Sequence, residues 1–147
     1  MVWFFLILAL AAGAVLPVQA GINSHLKAFA GSALIAAFIS FLVGTIALFG
    51  LSFVMRVPLP TISVLAQAPW WAWLGGFLGA FLVFMTIVLS QSLGAAVMVA
   101  LIITGQMITS LILDHYGLIG YARHPINPPR IIGAILLLSG VFLIRYK

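Results

Sequence analysis

Long apolar stretches, each about as long as a membrane crossing, alternate with short polar breaks along this chain. An α-helix rises about 1.5 Å per residue, so roughly twenty apolar residues cross about 30 Å of hydrocarbon. The breaks leave five such stretches, and each predicts a transmembrane helix. The predicted spans cover residues 2–22, 32–55, 70–89, 95–115 and 129–146.

The breaks carry residues typical of helix ends and membrane surfaces. Residues 57–69 contain three prolines and are too short to span, so this piece is predicted to lie along the interface as a short amphipathic helix. Residues 70–116 are too long for one crossing, and Gly94 predicts a tight turn between two antiparallel helices. Asn127 is the predicted N-cap of the last span, with Pro128 and Pro129 at its first positions.

Composition sets the class of protein. With 65% hydrophobic and 5% charged residues and a mean hydropathy of +1.36, the chain cannot present a polar surface to water all round. It is therefore predicted to be an all-α integral membrane protein, residues 1–147 forming a single transmembrane domain surrounded by lipid. The net charge of +5 comes from scattered Lys and Arg, which form no nucleic-acid-binding patch.

A cleavable signal peptide is the alternative for the first span. Val18-Gln19-Ala20 resembles a small-residue cleavage site, but no Lys or Arg precedes the apolar stretch. Gln19 and Asn23 continue the helical spacing past that site, which favours a transmembrane helix. Pro17 is expected to bend this helix.

Asp114, the only acidic residue of the chain, stands at the end of the fourth span. Gln106, Ser110 and Asp114 are spaced four residues apart, so they form a polar stripe on one helical face. Such a stripe faces other helices or a water-filled crevice rather than lipid. Helix packing and a functional surface both remain open interpretations. The carboxylate is expected to be held by His115, Tyr116 or backbone N–H groups, or to pair with Arg130.

Other chemistry finds little support. His25, His115 and His124 could join Asp114 at a metal, but adjacent helical residues point about 100° apart. One carboxylate makes no acid–base pair, and the chain has no Cys, so no catalytic site, metal site or cofactor is predicted. The Asp114–His115 pair could relay protons at one membrane surface, since histidine titrates near neutral pH.

The basic residues do not decide the orientation. Five spans place three basic residues on each side of the membrane: Arg56, Arg123 and Arg130 against Lys27, Arg145 and Lys147. This balance predicts insertion both ways up and an antiparallel, dual-topology homodimer of ten helices. A single fixed orientation is the alternative.

Short motifs along nearly the whole chain match one known pattern. They are residues 17–20 with Ile22, Asn23 and Leu26; Ser40, Phe41 and Gly44; residues 71–76; Leu93 and Gly94; Gly105, Gln106 and Ser110; residues 113–115 with Gly117; and residues 130–133. On these residues the chain resembles the YdcZ-like family of short bacterial membrane proteins, within the drug/metabolite transporter superfamily.

The resemblance implies a multi-pass protein of the bacterial inner membrane with five spans. Members occur singly, as oppositely oriented pairs, or as fused inverted duplications. Small multidrug resistance transporters of that superfamily carry a glutamate within the first span, where this chain has Gly13 and Ala14. The comparison therefore supplies no proton-coupling carboxylate.

Two functions remain open. The first is a transporter or exporter of an unknown small polar solute or ion, and the second is a non-transporting membrane scaffold that associates through glycine-rich helix faces. The candidate solute-binding residues are Gln19, Asn23, Gln106, Ser110, Asp114 and His115.

Overall fold

The computed structural model describes residues 1–145 and is helical, with no strand among those residues. The helices are α1 (Val2–Ala30), α2 (Ala33–Val54), α3 (Ile62–Leu65), α4 (Leu74–Leu93), α5 (Ala95–Tyr116) and α6 (Pro128–Arg145). A 3-10 turn, Trp70–Trp73, leads into α4, so five helical stretches of the described chain are long and apolar enough to cross a membrane. The all-α fold and the five spans are confirmed. Tyr146 and Lys147, which the sequence analysis places at the end of the last span, lie outside the described residues.

The first helix is longer than predicted. The span was predicted to end at residue 22, yet α1 continues to Ala30. Polar side chains do not end a helix; a change of backbone conformation does. Here the change comes at Gly31, whose φ of 77° is left-handed and whose N–H bonds the carbonyl of Lys27. Pro17 lies inside the continuous helix.

The other predicted helix ends agree closely with the structure, except that α4 continues past its predicted end at residue 89 to Leu93. Asn127 Oδ1 accepts a hydrogen bond from the Arg130 N–H at 3.1 Å, which confirms it as the N-cap of α6. Gly94 (φ 75°, ψ 161°) interrupts the helix between Leu93 and Ala95. Gly117 (φ 64°) ends α5 in the left-handed region. The predicted interfacial segment forms one short helix, α3, and its position at a membrane surface stays a prediction.

The chain divides into two compact units. In the first, Met1–Gln91, small residues of α2 meet branched side chains of α4: Ala36 and Ala37 form a buried cluster with Val83 and Ile87. Leu26 of α1 packs against the same cluster. The small alanine side chains of α2 leave room for the branched side chains of α4.

The second unit, from Ser92 onward, consists of α5 and α6 packed against each other. The prediction of a single transmembrane domain is not tested by this division. Most large apolar side chains of the five spans are exposed on the chain, as expected for helices whose outer faces meet lipid or further helices.

Candidate functional site

The single carboxylate of the chain forms an ion pair. Asp114 lies in the last turn of α5 and Arg130 in the first turn of α6, and Arg130 Nη2 stands 3.2 Å from Asp114 Oδ2. Their side chains are 26% and 32% exposed respectively, so the pair is half-buried. Arg130 is therefore the partner of the carboxylate. His115, Tyr116 and the backbone N–H groups of the described residues do not bond it.

The loop between α5 and α6 folds back onto the end of α5. The backbone N–H of His124 donates to the Asp114 carbonyl at 2.8 Å, and Arg130 Nη1 donates to the His124 carbonyl at 2.9 Å. Arg123 Nε donates to the carbonyl of His115 at 3.3 Å. Arg130 is thus held by both the carboxylate and the loop, and its side chain has a fixed position beside α5.

His115 fixes this loop. Its Nδ1 accepts a hydrogen bond from the backbone N–H of Ile126 at 3.1 Å, so this nitrogen carries no proton in the observed geometry. Its ring also meets Tyr116 edge-on, with centroids 4.7 Å apart. The structure therefore places His115 next to the ion pair but in contact with the loop.

A cleft of about 290 Å³ lies beside the ion pair, between α5 and α6. Its walls are Met107, Ser110, Leu111 and Asp114 from α5, and Arg130, Gly133, Ala134 and Leu137 from α6. Ser110 and Asp114 of the predicted polar stripe thus share one cavity. Gln106, the third member, is exposed and is not part of this lining.

The two candidate residues of α1 lie in the first unit. Gln19 lines a smaller cleft of about 170 Å³ with Ser40, Gly44 and Thr45 of α2. Asn23 is buried, with 3% of its surface exposed. Its Nδ2 has no hydrogen-bond partner among residues 1–145. A buried amide without a hydrogen-bond partner lowers the free energy of unfolding, so Asn23 is an unfavourable residue at this position unless another molecule bonds it.

Sequence reasoning missed a polar seam between α1 and α4. Ser24 Oγ lies 3.1 Å from Ser90 Oγ, and Lys27 Nζ donates to Gln91 Oε1 at 2.7 Å. Thr86, one turn earlier on α4, is buried and bonds the Val83 carbonyl. The spacing of Thr86 and Ser90 was the available signal, because it places two hydroxyls on one face of α4.

A second cavity in the first unit, of about 420 Å³, is apolar. Phe38 and Phe41 of α2 and Phe77, Phe81 and Phe84 of α4 form most of its wall. Its lining offers no charged group and no side-chain hydrogen-bond donor. Packing and lipid contact account for these rings.

Five apolar helices, with one ion pair beside a cleft, define a multi-pass α-helical membrane protein. Residues 4–143 match the sequence model of a family described as "Putative inner membrane exporter, YdcZ". The chain belongs to this family, which confirms the resemblance, and it is a multi-pass inner-membrane protein.

A curated relative supports this membership. "Inner membrane protein YdcZ" of Escherichia coli (strain K12) is 30% identical to the chain over 138 residues, which cover 94% of this chain and 92% of that protein. No solved structure matches the chain.

Proposed function

We propose that the chain is a transporter that exports a small polar solute, acting as an inverted-topology homodimer. The observation that carries the proposal is the Asp114–Arg130 pair, which meets a cleft between two membrane-spanning helices. Ionisable residues of transmembrane helices that face a cavity usually mark a solute or ion pathway. The family description as an exporter favours the outward direction.

Six residues are proposed to contact the solute. Ser110 and Asp114 line the α5–α6 cleft, Gln19 lines the smaller cleft on α1 and α2, and Asn23 offers an unpartnered amide. Gln106 extends the stripe by one turn towards the membrane centre, and His115 holds the loop beside the cleft.

The homodimer is supported by two observations. The predicted topology places three basic residues on each side of the membrane, so their count favours neither orientation. Several helical glycines, including Gly13, Gly44, Gly75 and Gly105, have open space where a side chain would stand, and such positions allow close helix contact. In an inverted pair, the Asn23 end of one chain shares a leaflet with the Asp114 end of its partner.

Orientation is tested with paired C-terminal reporters that are active on opposite sides of the membrane. Both reporters should give signal for the unmodified chain, whereas two or three lysines added to one side should leave only one active. Signal from one reporter alone in the unmodified chain would contradict dual insertion.

Transport is tested with purified protein in liposomes and a panel of labelled small solutes. Gln106→Leu and Asp114→Asn should slow uptake at least tenfold, while Gln67→Leu, the same change outside the five spans, serves as the matched control. If both pathway variants move every solute as fast as the parent, the pathway is wrong.

The scaffold function is separated from transport by water access. The chain has no native Cys, so single cysteines along the Gln106–Asp114 face can be labelled with a membrane-impermeant maleimide. Labelling at Ser110→Cys but not at Leu136→Cys on an apolar face of α6 supports a hydrated crevice. Absence of labelling at Ser110→Cys favours the non-transporting scaffold function.

A further inference from the structure

We propose that the cleft between α5 and α6 binds a zwitterion of amino-acid size with an apolar side chain. Asp114 would bind its ammonium group and Arg130 its carboxylate. The role of this ligand as the transported substrate rests on the proposed transport function, so binding and transport are measured separately.

The ion pair leaves binding capacity on both partners. The contact runs through Oδ2 of Asp114 at 3.2 Å, and no group among residues 1–145 bonds Oδ1. The Arg130 guanidinium contacts Asp114 through Nη2 and the His124 carbonyl through Nη1. A guanidinium has five N–H donors, so donors remain for a carboxylate.

Ser110 adds a polar group on the same wall. Serine and threonine in helices commonly bond the carbonyl four residues earlier, as Ser139 does to Ile135 and Thr104 to Ala100, each at 2.8 Å. Ser110 makes no such bond within the described chain, although it faces the cleft one turn before Asp114. Its hydroxyl is available to a ligand.

Charge balance selects the class of ligand. A simple cation at Asp114 competes with Arg130, and a simple anion at Arg130 competes with Asp114. In either case one half-buried protein charge loses its partner, which is costly. A zwitterion brings one charge of each sign and leaves the net charge of the cleft unchanged.

The remaining lining suits an apolar side chain. Met107 and Leu111 face Ala134 and Leu137 across the cleft. Gly133 adds no side chain to the cleft, and the space where its Cβ would stand is open to 4 Å. At about 290 Å³ the cavity is just below the range for drug-sized ligands, about 300–1,000 Å³, and fits a smaller solute.

Three probes that share the isobutyl side chain of leucine separate the two charges. L-Leucine carries both charged groups, 3-methylbutylamine lacks the carboxylate, and 4-methylpentanoate lacks the ammonium. Binding is measured by calorimetry and thermal shift at pH 7 on the full chain in non-ionic detergent. L-Leucine should bind at least tenfold more tightly than either analogue, because it alone forms both charged hydrogen bonds.

Substitutions should change which probe binds best. Asp114→Asn removes the site for the ammonium and should favour 4-methylpentanoate, while Arg130→Gln should favour 3-methylbutylamine. Arg56→Gln is the matched control, since it removes the same charge from the same predicted side and should leave the order of the probes unchanged. Equal affinities for the three probes on the unmodified protein overturn the inference even if the variants fail to fold.

Transport of the same probes separates the two proposals. L-Leucine binding with the predicted order, but no counterflow in liposomes, keeps this site and removes the transport function. Uptake of another solute that is unchanged in Asp114→Asn and Arg130→Gln keeps transport and overturns this site.

Discussion

Removal of Arg130 should destabilise the ligand-free protein by about 2 kcal/mol. At 3.2 Å and an effective dielectric constant of about 20, the gross attraction of the pair is about 5 kcal/mol. Desolvation cancels much of this attraction. Exposed pairs contribute about 0–1 kcal/mol, whereas breaking a buried pair costs about 3–5 kcal/mol. The Asp114–Arg130 pair is between a quarter and a third exposed, which places Arg130→Gln between those limits.

A double variant, Asp114→Asn with Arg130→Gln, separates the contribution of the ion pair from the other contacts of the Arg130 side chain. Arg130→Gln leaves Asp114 charged and unpaired, and Asp114→Asn does the same to Arg130. When both are neutral no charge is stranded, so the double variant should lose at least about 1 kcal/mol less than the sum of the single losses. Arg130→Gln and the double variant both lose the hydrogen bond from Arg130 to the His124 carbonyl. This loss therefore cancels when the double variant is compared with the sum of the single variants.

The assay is thermal unfolding of the purified chain in detergent at one fixed scan rate. A loss of about 2 kcal/mol should lower Tm by roughly 4–8 °C for a chain of this size. Arg56→Gln should move stability by less than about 0.5 kcal/mol. Two single losses that simply add, or an Arg130→Gln protein as stable as the parent, would refute the reasoning.

Two further predictions use the same assay. Asn23→Leu should raise stability by about 1 kcal/mol or more, because it removes a buried amide whose Nδ2 has no partner among the described residues, and a lower Tm would contradict this account. Gly117→Ala should cost about 1–2 kcal/mol, because residue 117 has a left-handed backbone (φ 64°) that a side chain with a Cβ disfavours. Gly140→Ala, inside α6 with open space, is its control and should not destabilise.

The spans were predictable because they depend on local pattern. Each apolar run is long enough to identify a helix by itself, and Asn127 before two prolines marks where α6 begins. The end of α1 was less predictable. The helix continues to Ala30 and ends at Gly31 through a left-handed backbone conformation, beyond residue 22, the last residue of the predicted span.

The site was predictable only in part. Asp114 was identifiable as the single acid, and Arg130 was considered as its partner because both fall at the same membrane side. The bonds that hold Arg130 depend on the path of the loop, which periodicity does not encode. The contact between Ser24 and Ser90 joins residues 66 positions apart, and only the packing of α1 against α4 brings them together.

Gln106 is exposed on the chain, so its amide requires a hydrogen-bond partner from a second chain or from water. Its amide lies two turns from Asp114 within a helix that crosses the membrane, and none of the hydrogen bonds among residues 1–145 involves it. Lipid hydrocarbon offers no partner to an amide, and a polar group left unsatisfied there costs several kcal/mol. Gly105 beside it has open space on its surface, so another helix backbone could approach closely. The proposed inverted partner would cover this face, and the proposed crevice would hydrate it.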